Sequence, residues 1–179
     1  LLLVVLLRRL GLQAEVALTD IDRGAALPQE VPMLGAFDHA IVRLHLAGGV
    51  HWLDPTASHQ GGSLATATPP AYAWALPLAG PGQRALQPIA AAPADLWSAE
   101  TEERYRFTLA GVFLEVDSRL TRGAADELRA RRAVTPLAEL SQDYMAYYSD
   151  RLPGLAALAG VEILDDRPAN ETLARERYF

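Results

Sequence analysis

The sequence predicts an α+β protein in two parts: a helix with antiparallel strands over residues 1–92, and a β-rich part with two helices over 93–179. Three observations predict this. Of 179 residues, 50% are apolar and 21% charged, the balance of a chain that buries a core. Some runs alternate apolar and polar residues as half-buried strands do, and others repeat at helical spacing. Between them lies a Gly-, Pro- and Ala-rich stretch, 57–95, longer than a compact domain ordinarily leaves without elements, so the boundary is placed near 90–98.

"LLLVVLLRRL" (1–10) reads as a helix ended by Gly11, with Arg8 and Arg9 at the negative end of its dipole. It is apolar almost all round, which predicts central burial. Its apolar run is far shorter than the roughly 20 residues of a membrane span. The charge follows that run, the reverse of a signal peptide. The opening therefore reads as the body of a helix begun before Leu1, and the sequence as part of a longer chain. "LQAEVALT" (12–19) alternates as a strand. Residues 20–36 carry turn residues throughout and read as a loop.

Residues 39–46 alternate again, Gly48-Gly49 marks a tight turn, and "VHWLD" (50–54) returns as a second strand stopped by Pro55. After the long linker, "TEERYRFTLAG" and "VFLEVDSRLT" predict a hairpin about Gly111. "RGAADELRARRA" (122–133) reads as a helix. "TPLAELSQDYMAYYSDRLPG" reads as another, with Thr135 as N-cap, Pro136 in the first turn and Pro153-Gly154 as the stop. "AGVEILDDRP" returns to a strand, and the residues after it read as an unfinished element. No internal repeat is visible.

The net charge is −6, every basic residue is Arg, and no basic block occurs, so no nucleic-acid partner is expected. The absence of Cys excludes disulfides, Cys-held metals and a thiol nucleophile within these residues.

The chemistry lies in "FDHAIVRLHLAGGVHWLDPT" (37–56). With Gly48-Gly49 as the loop, Arg43 faces Asp54, and His39 shares the Asp54 face four positions away. With Ala47-Gly48 as the loop, Ile41 faces Asp54 and His39 is its diagonal neighbour, with Cβ atoms about 7–8 Å apart or less. A three-residue loop separates the two. Both two-residue loops put His39, Trp52 and Asp54 on one face. The opposite face, Ala40, Val42, Leu44, Leu46 and Leu53, is expected to pack on the core. A carboxylate holding one imidazole nitrogen fixes the tautomer and leaves the other nitrogen to serve as a base, with Trp52 excluding water. The plainer reading is a solvated hairpin face with an Arg43–Asp54 surface pair contributing about 0–1 kcal/mol.

Other residues point less far. His39, His45, His51 and His59 fit no zinc spacing, and no metal or other cofactor is expected. Ser58 and Ser63 lack a nucleophile elbow. "QGGS" lacks the following helix of a phosphate cradle. Glu162 with Asp165 and Asp166 reads as a solvated strand end rather than a Ca²⁺ site. Tyr144, Tyr147 and Tyr148 read as packing at the domain junction, and Arg129–Arg132 as a solvated helix end.

In order, "LLLVVLLRRLGLQAEVALT", "FDHAIVRL", "GGVHWLDPT" and "GGSLATATPPAYAWAL" resemble the helix and strand after the nucleophile, the histidine strand, the aspartate strand and the trailing segment of the transglutaminase-like superfamily. The resembled proteins are of the bacterial type set between domains of unknown function. "FLEVDSRLTRGAADELR" and "DYMAYYSDRLPG" resemble the start of the β-rich domain that follows there. The resemblance implies a papain-like half-core in which His39 is the general base and acid, Asp54 orients it, and Asp38 and Trp52 are neighbours. It implies a peptide or protein amide substrate and, in similar proteins, export in bacteria. The departure is the family's cysteine at the head of the first helix, expected a few residues before Leu1. Two readings stay open: an enzyme whose thiol lies outside these residues, so that this chain alone is inactive, and a pseudoenzyme serving as a binding or structural module.

Overall fold

The computed structural model describes residues 1–64, 67–80, 85–90 and 97–179. The architecture is α+β, with two antiparallel sheets. The chain divides into two units, Leu1–Ser58 with Pro69–Pro93, and His59–Thr68 with Ala94–Phe179. Residues 59–68, expected to trail the first part, thus belong with the second. Most of the boundary expected near 90–98 lies outside the described residues.

In the first unit, helix α1 (Leu2–Arg9) leads into strand β1 (Gln13–Thr19). Two short 3₁₀ turns, Gly24–Gln29 and Leu34–Ala36, fill the predicted loop. Strands β2 (His39–Leu46), β3 (Gly49–Leu53), β4 (Trp74–Pro77) and β5 (Gln87–Pro88) complete a sheet ordered β3-β2-β1-β4-β5. β4 and β5 come from the stretch read as element-free; they are too short to register as alternation. Leu46 pairs with Gly49, so the hairpin loop is Ala47-Gly48, the second of the two registers considered. Gly49 takes φ 127°, a region open to glycine.

Both faces of this sheet are covered. Val42 and Leu44 are buried with Ala14 and Val4 of α1 on one face. On the face of His39, Ile41, Ala17, Ala75 and Ile89 form a buried cluster, with Trp52 and Tyr72 packed against it. The single apolar face expected of the hairpin is therefore corrected. Small Ala17, on the strand between those of Ile41 and Ala75, leaves room for a second core, and each fully buried Val, Leu or Ile contributes about 1.5–3 kcal/mol. The central burial expected of α1 is corrected too. Only Val4 is buried, while Leu2, Val5, Leu6 and Leu10 are exposed, because among the described residues the helix meets one sheet face.

In the second unit, β6 (Trp97–Thr108) and β7 (Gly111–Arg122) form the predicted hairpin. Helices α2 (Gly123–Val134) and α3 (Leu137–Ser149) follow, then β8 (Glu162–Asp166) and β9 (Glu171–Tyr178). The sheet order is β6-β7-β9-β8. Leu114 and Val116 of β7, Tyr178 of β9 and Tyr148 of α3 form one core, and Leu140, Val161 and Ala174 another. Thr135 ends α2 instead of capping α3, whose N-cap is Pro136. α3 also stops at Ser149, ahead of Pro153-Gly154.

Arg129, expected on a solvated helix end, is buried. Its guanidinium donates to Asp126 at 2.9 Å, Asp165 at 2.7 Å and Asn170 Oδ1 at 2.5 Å. Asp165 is thereby an ion-pair partner. The segment 59–68 is tied to the same cluster: Gly61 N–H donates to Asp126 at 2.9 Å, and Gly62 N–H to the Arg167 carbonyl at 2.8 Å. A Cβ at Gly61 would stand 2.6 Å from Asn170 Oδ1 and 2.8 Å from Arg129 Nη1, so only glycine fits.

Candidate functional site

The register that pairs Leu46 with Gly49 sets His39 at the start of β2 and Asp54 one residue beyond β3, on one face. They meet: His39 Nε2 lies 3.0 Å from Asp54 Oδ2. Their side chains are 14% and 7% exposed, so the pair is largely withdrawn from water. "DPT" then builds a turn. Thr56 N–H donates to Asp54 Oδ1 at 2.9 Å and the Thr56 hydroxyl to the same oxygen at 2.6 Å, an Asx turn that fixes the carboxylate plane.

A residue not foreseen from sequence completes the site. The Tyr72 hydroxyl donates to Asp54 Oδ2 at 2.6 Å, the oxygen that His39 also uses. Its ring meets the imidazole edge-on, with centroids 5.3 Å apart. Tyr72 is aimed by a tight backbone turn: Trp74 N–H bonds the Tyr72 carbonyl at 2.7 Å across Ala73, which has φ 62°. That is γ-turn pairing, with a non-glycine residue held where backbone strain costs about 1–3 kcal/mol. The Tyr72 carbonyl is pressed against Gly24, where a Cβ would come within 1.9 Å of the oxygen. The 3₁₀ turn therefore buttresses the tyrosine, and glycine is required.

Burial alone would raise the Asp54 pKa. The Thr56 hydroxyl, the Tyr72 hydroxyl, the Thr56 N–H and His39 outweigh it and hold the carboxyl below the usual carboxylate range. The Tyr72 phenol is pushed upward by burial, by its bond to Asp54, and by the charges of Asp54 and Asp38. At neutral pH an ionised Asp54 therefore only accepts, and a neutral Tyr72 donates. It follows that the neutral form of His39 carries its proton on Nε2 and presents Nδ1 as an acceptor. Among the described residues, Nδ1 takes no hydrogen bond.

Of the other predicted neighbours, Trp52 packs on the Ile41 cluster and pairs across the hairpin with Arg43, whose guanidinium lies 5.8 Å over its ring. Asp38 makes no hydrogen bond to the pair; its carboxylate accepts from Ile21 N–H at 3.0 Å and anchors the loop. Arg43 does not bond Asp54 but Glu15, at 2.7 Å, and His45 approaches the same glutamate at 3.4 Å. This corrects the plainer reading of a solvated face. His51 pairs with Leu44 on the other face, and His59 lies in the second unit. Among the described residues, no three His, Cys, Asp or Glu side chains group closely enough to hold a metal ion.

No protein-family model, curated protein or solved structure matches the chain. No helix among the described residues is long and apolar enough to cross a membrane.

Proposed function

We propose that the first unit is the histidine–aspartate part of a transglutaminase-like cysteine acyltransferase or amidohydrolase, acting on peptide or protein amides. The observation that carries this reading is the His39 Nε2–Asp54 Oδ2 contact of 3.0 Å, in a nearly buried setting with Tyr72 on the same oxygen. Asp54 holds the imidazole in one tautomer and stabilises the imidazolium. Nδ1 takes the proton of a nucleophile and returns it to the leaving amine. The 179 residues hold no cysteine, so the thiolate that attacks the carbonyl comes from outside them, and this chain alone forms no acyl-enzyme.

The second reading, a non-catalytic binding or structural module on the same fold, is favoured by one observation. α1 packs on the sheet face opposite His39, so a thiol at the head of that helix must reach the imidazole around the end of the sheet.

The test is made on the chain carrying the residues its gene encodes ahead of Leu1. The enzyme reading expects a cysteine there whose alkylation proceeds well below the ordinary thiol pKa of about 8.5 and slows to ordinary thiol behaviour in His39→Ala. Absence of the cysteine, or alkylation that ignores His39, overturns it in favour of the module.

A further inference from the structure

The second unit holds a cleft of about 520 Å³ that the His39 site does not involve. That volume lies within the range of small-molecule sites, about 300–1,000 Å³. Its floor is one face of the sheet. Glu103 of β6 pairs with Val116 of β7, which pairs with Glu176 of β9, so two carboxylates flank one valine on the same face. Its wall is Tyr144, Tyr147 and Tyr148 of α3.

The acidic charge is only partly answered. Glu103 accepts the Tyr148 hydroxyl on one oxygen and the Tyr105 hydroxyl on the other, both at 2.9 Å. Neither Glu103 nor Glu176 has an ion-pair partner within salt-bridge distance among the described residues. Arg131, in the lining, is already held by Asp143 at 2.5 Å. The Arg151 guanidinium lies 3.9 Å over the Tyr147 ring, and its charge reaches Glu103. Glu176 is only 3% exposed. One of its oxygens accepts the Tyr178 hydroxyl; the other takes no hydrogen bond among the described residues and lies at the cleft. Burial pushes this carboxyl above the usual carboxylate range, Tyr178 opposes the rise, and the charge of Glu103 adds to it.

What Glu176 lacks is a positive charge that brings N–H donors. A metal ion is a poor fit, because no three metal-ligating side chains converge among the described residues. An ammonium group on an alkyl stem fits: its N–H groups complete the free Glu176 oxygen, its charge answers Glu176 and the part of Glu103 that Arg151 leaves unanswered, and tyrosine rings attract cations. We propose that this cleft binds a primary alkylammonium group, seated on Glu176 and Glu103 against Tyr144.

The test titrates the full ¹⁵N-labelled chain with n-butylammonium chloride at neutral pH. Saturable shifts are expected at the amides of Glu103, Tyr144, Tyr147 and Glu176, with none at His39 or Asp54. Tetramethylammonium, which has no N–H, is expected to bind about tenfold more weakly, the loss of one charge-assisted hydrogen bond. Glu176→Gln keeps the shape and the Tyr178 bond, and is expected to weaken butylammonium binding by a similar factor. Glu103→Gln, on an exposed strand position and still able to accept the tyrosine hydroxyls, gives a second reading of the same loss. An acetylated, amidated Gly-Lys-Gly peptide separates the sources: tighter binding than butylammonium assigns a lysine side chain, weaker binding a small amine. Absence of saturable shifts, equal binding of tetramethylammonium, or binding unchanged in both variants overturns the proposal.

Discussion

Replacing Tyr72 by Phe removes one hydroxyl and leaves the ring. The lost bond is a 2.6 Å donation to a carboxylate that is 7% exposed. Hydrogen bonds to charged groups contribute about 1.5–3 kcal/mol. Asp54 keeps the Thr56 N–H, the Thr56 hydroxyl and His39, so the loss should fall at the low end, about 1.5–2 kcal/mol. The pH dependence follows from the sign of the shift. The Asp54 carboxyl is held below its ordinary value, so its contribution is present above the unfolded pKa of about 3.9 and fades as pH falls through the lower folded value. Tyr72→Phe removes one cause of the lowering. The variant should therefore lose the full amount, about 1.5–2 kcal/mol, at neutral pH and markedly less once Asp54 is protonated. The assay is urea unfolding of both proteins, read from the NMR peak intensities of β1 and β2 amides so that the first unit is followed by itself, at neutral and strongly acidic pH. A neutral-pH loss under about 0.5 kcal/mol, the scatter of ordinary surface substitutions, would refute the reasoning. So would a loss that acid leaves undiminished.

Two further outcomes are expected. Imidazole ¹⁵N shifts at mildly alkaline pH should show His39 as the Nε2–H tautomer in the native chain and a mixture in Asp54→Asn, since only the carboxylate compels the proton onto Nε2; a native Nδ1–H tautomer would contradict the site as described. Arg129→Met should destabilise the second unit by about 3 kcal/mol, the low end for breaking a buried pair, because Asp165 is 40% exposed and can rehydrate while Asp126, at 14%, cannot; an unchanged urea midpoint for α2 and β9 amides would count against it.

The hairpin was legible because its alternation is a local property, and so was the shared face of His39 and Asp54. Its register was not. Ala47, Gly48 and Gly49 supply two equally acceptable two-residue loops, which change the facing partners but leave every side chain on the same face, so the alternation does not separate them. Tyr72 escaped notice because no local pattern specifies the partner of a hydroxyl 18 residues away. Its neighbours offer no signal either, since "WALP" (74–77) is too short and too uniformly apolar to read as alternation. Arg129 differs for a similar reason: a cluster of arginines reads as a solvated helix end, whereas Asp165 and Asn170, which hold it, are brought in by β8 and the turn before β9. The papain-like and transglutaminase-like reading rests on the order of the motifs alone.

The docking of Gly61 on the Arg129 cluster also governs how the chain can be divided. The first unit is discontinuous: its backbone leaves after Ser58 and returns at Pro69, and the excursion between is fastened within the second. No single cut yields both units intact. A piece ending near residue 90 carries 59–68 without its Asp126 and Arg167 partners, and a piece starting near 97 leaves Asp126 short of the Gly61 N–H. Asp54 and Tyr72, which meet in the first unit, stand on either side of that excursion. Deletion or exchange of the second unit therefore removes what holds the middle of the connection between them, and the two halves are better exchanged together than as interchangeable modules.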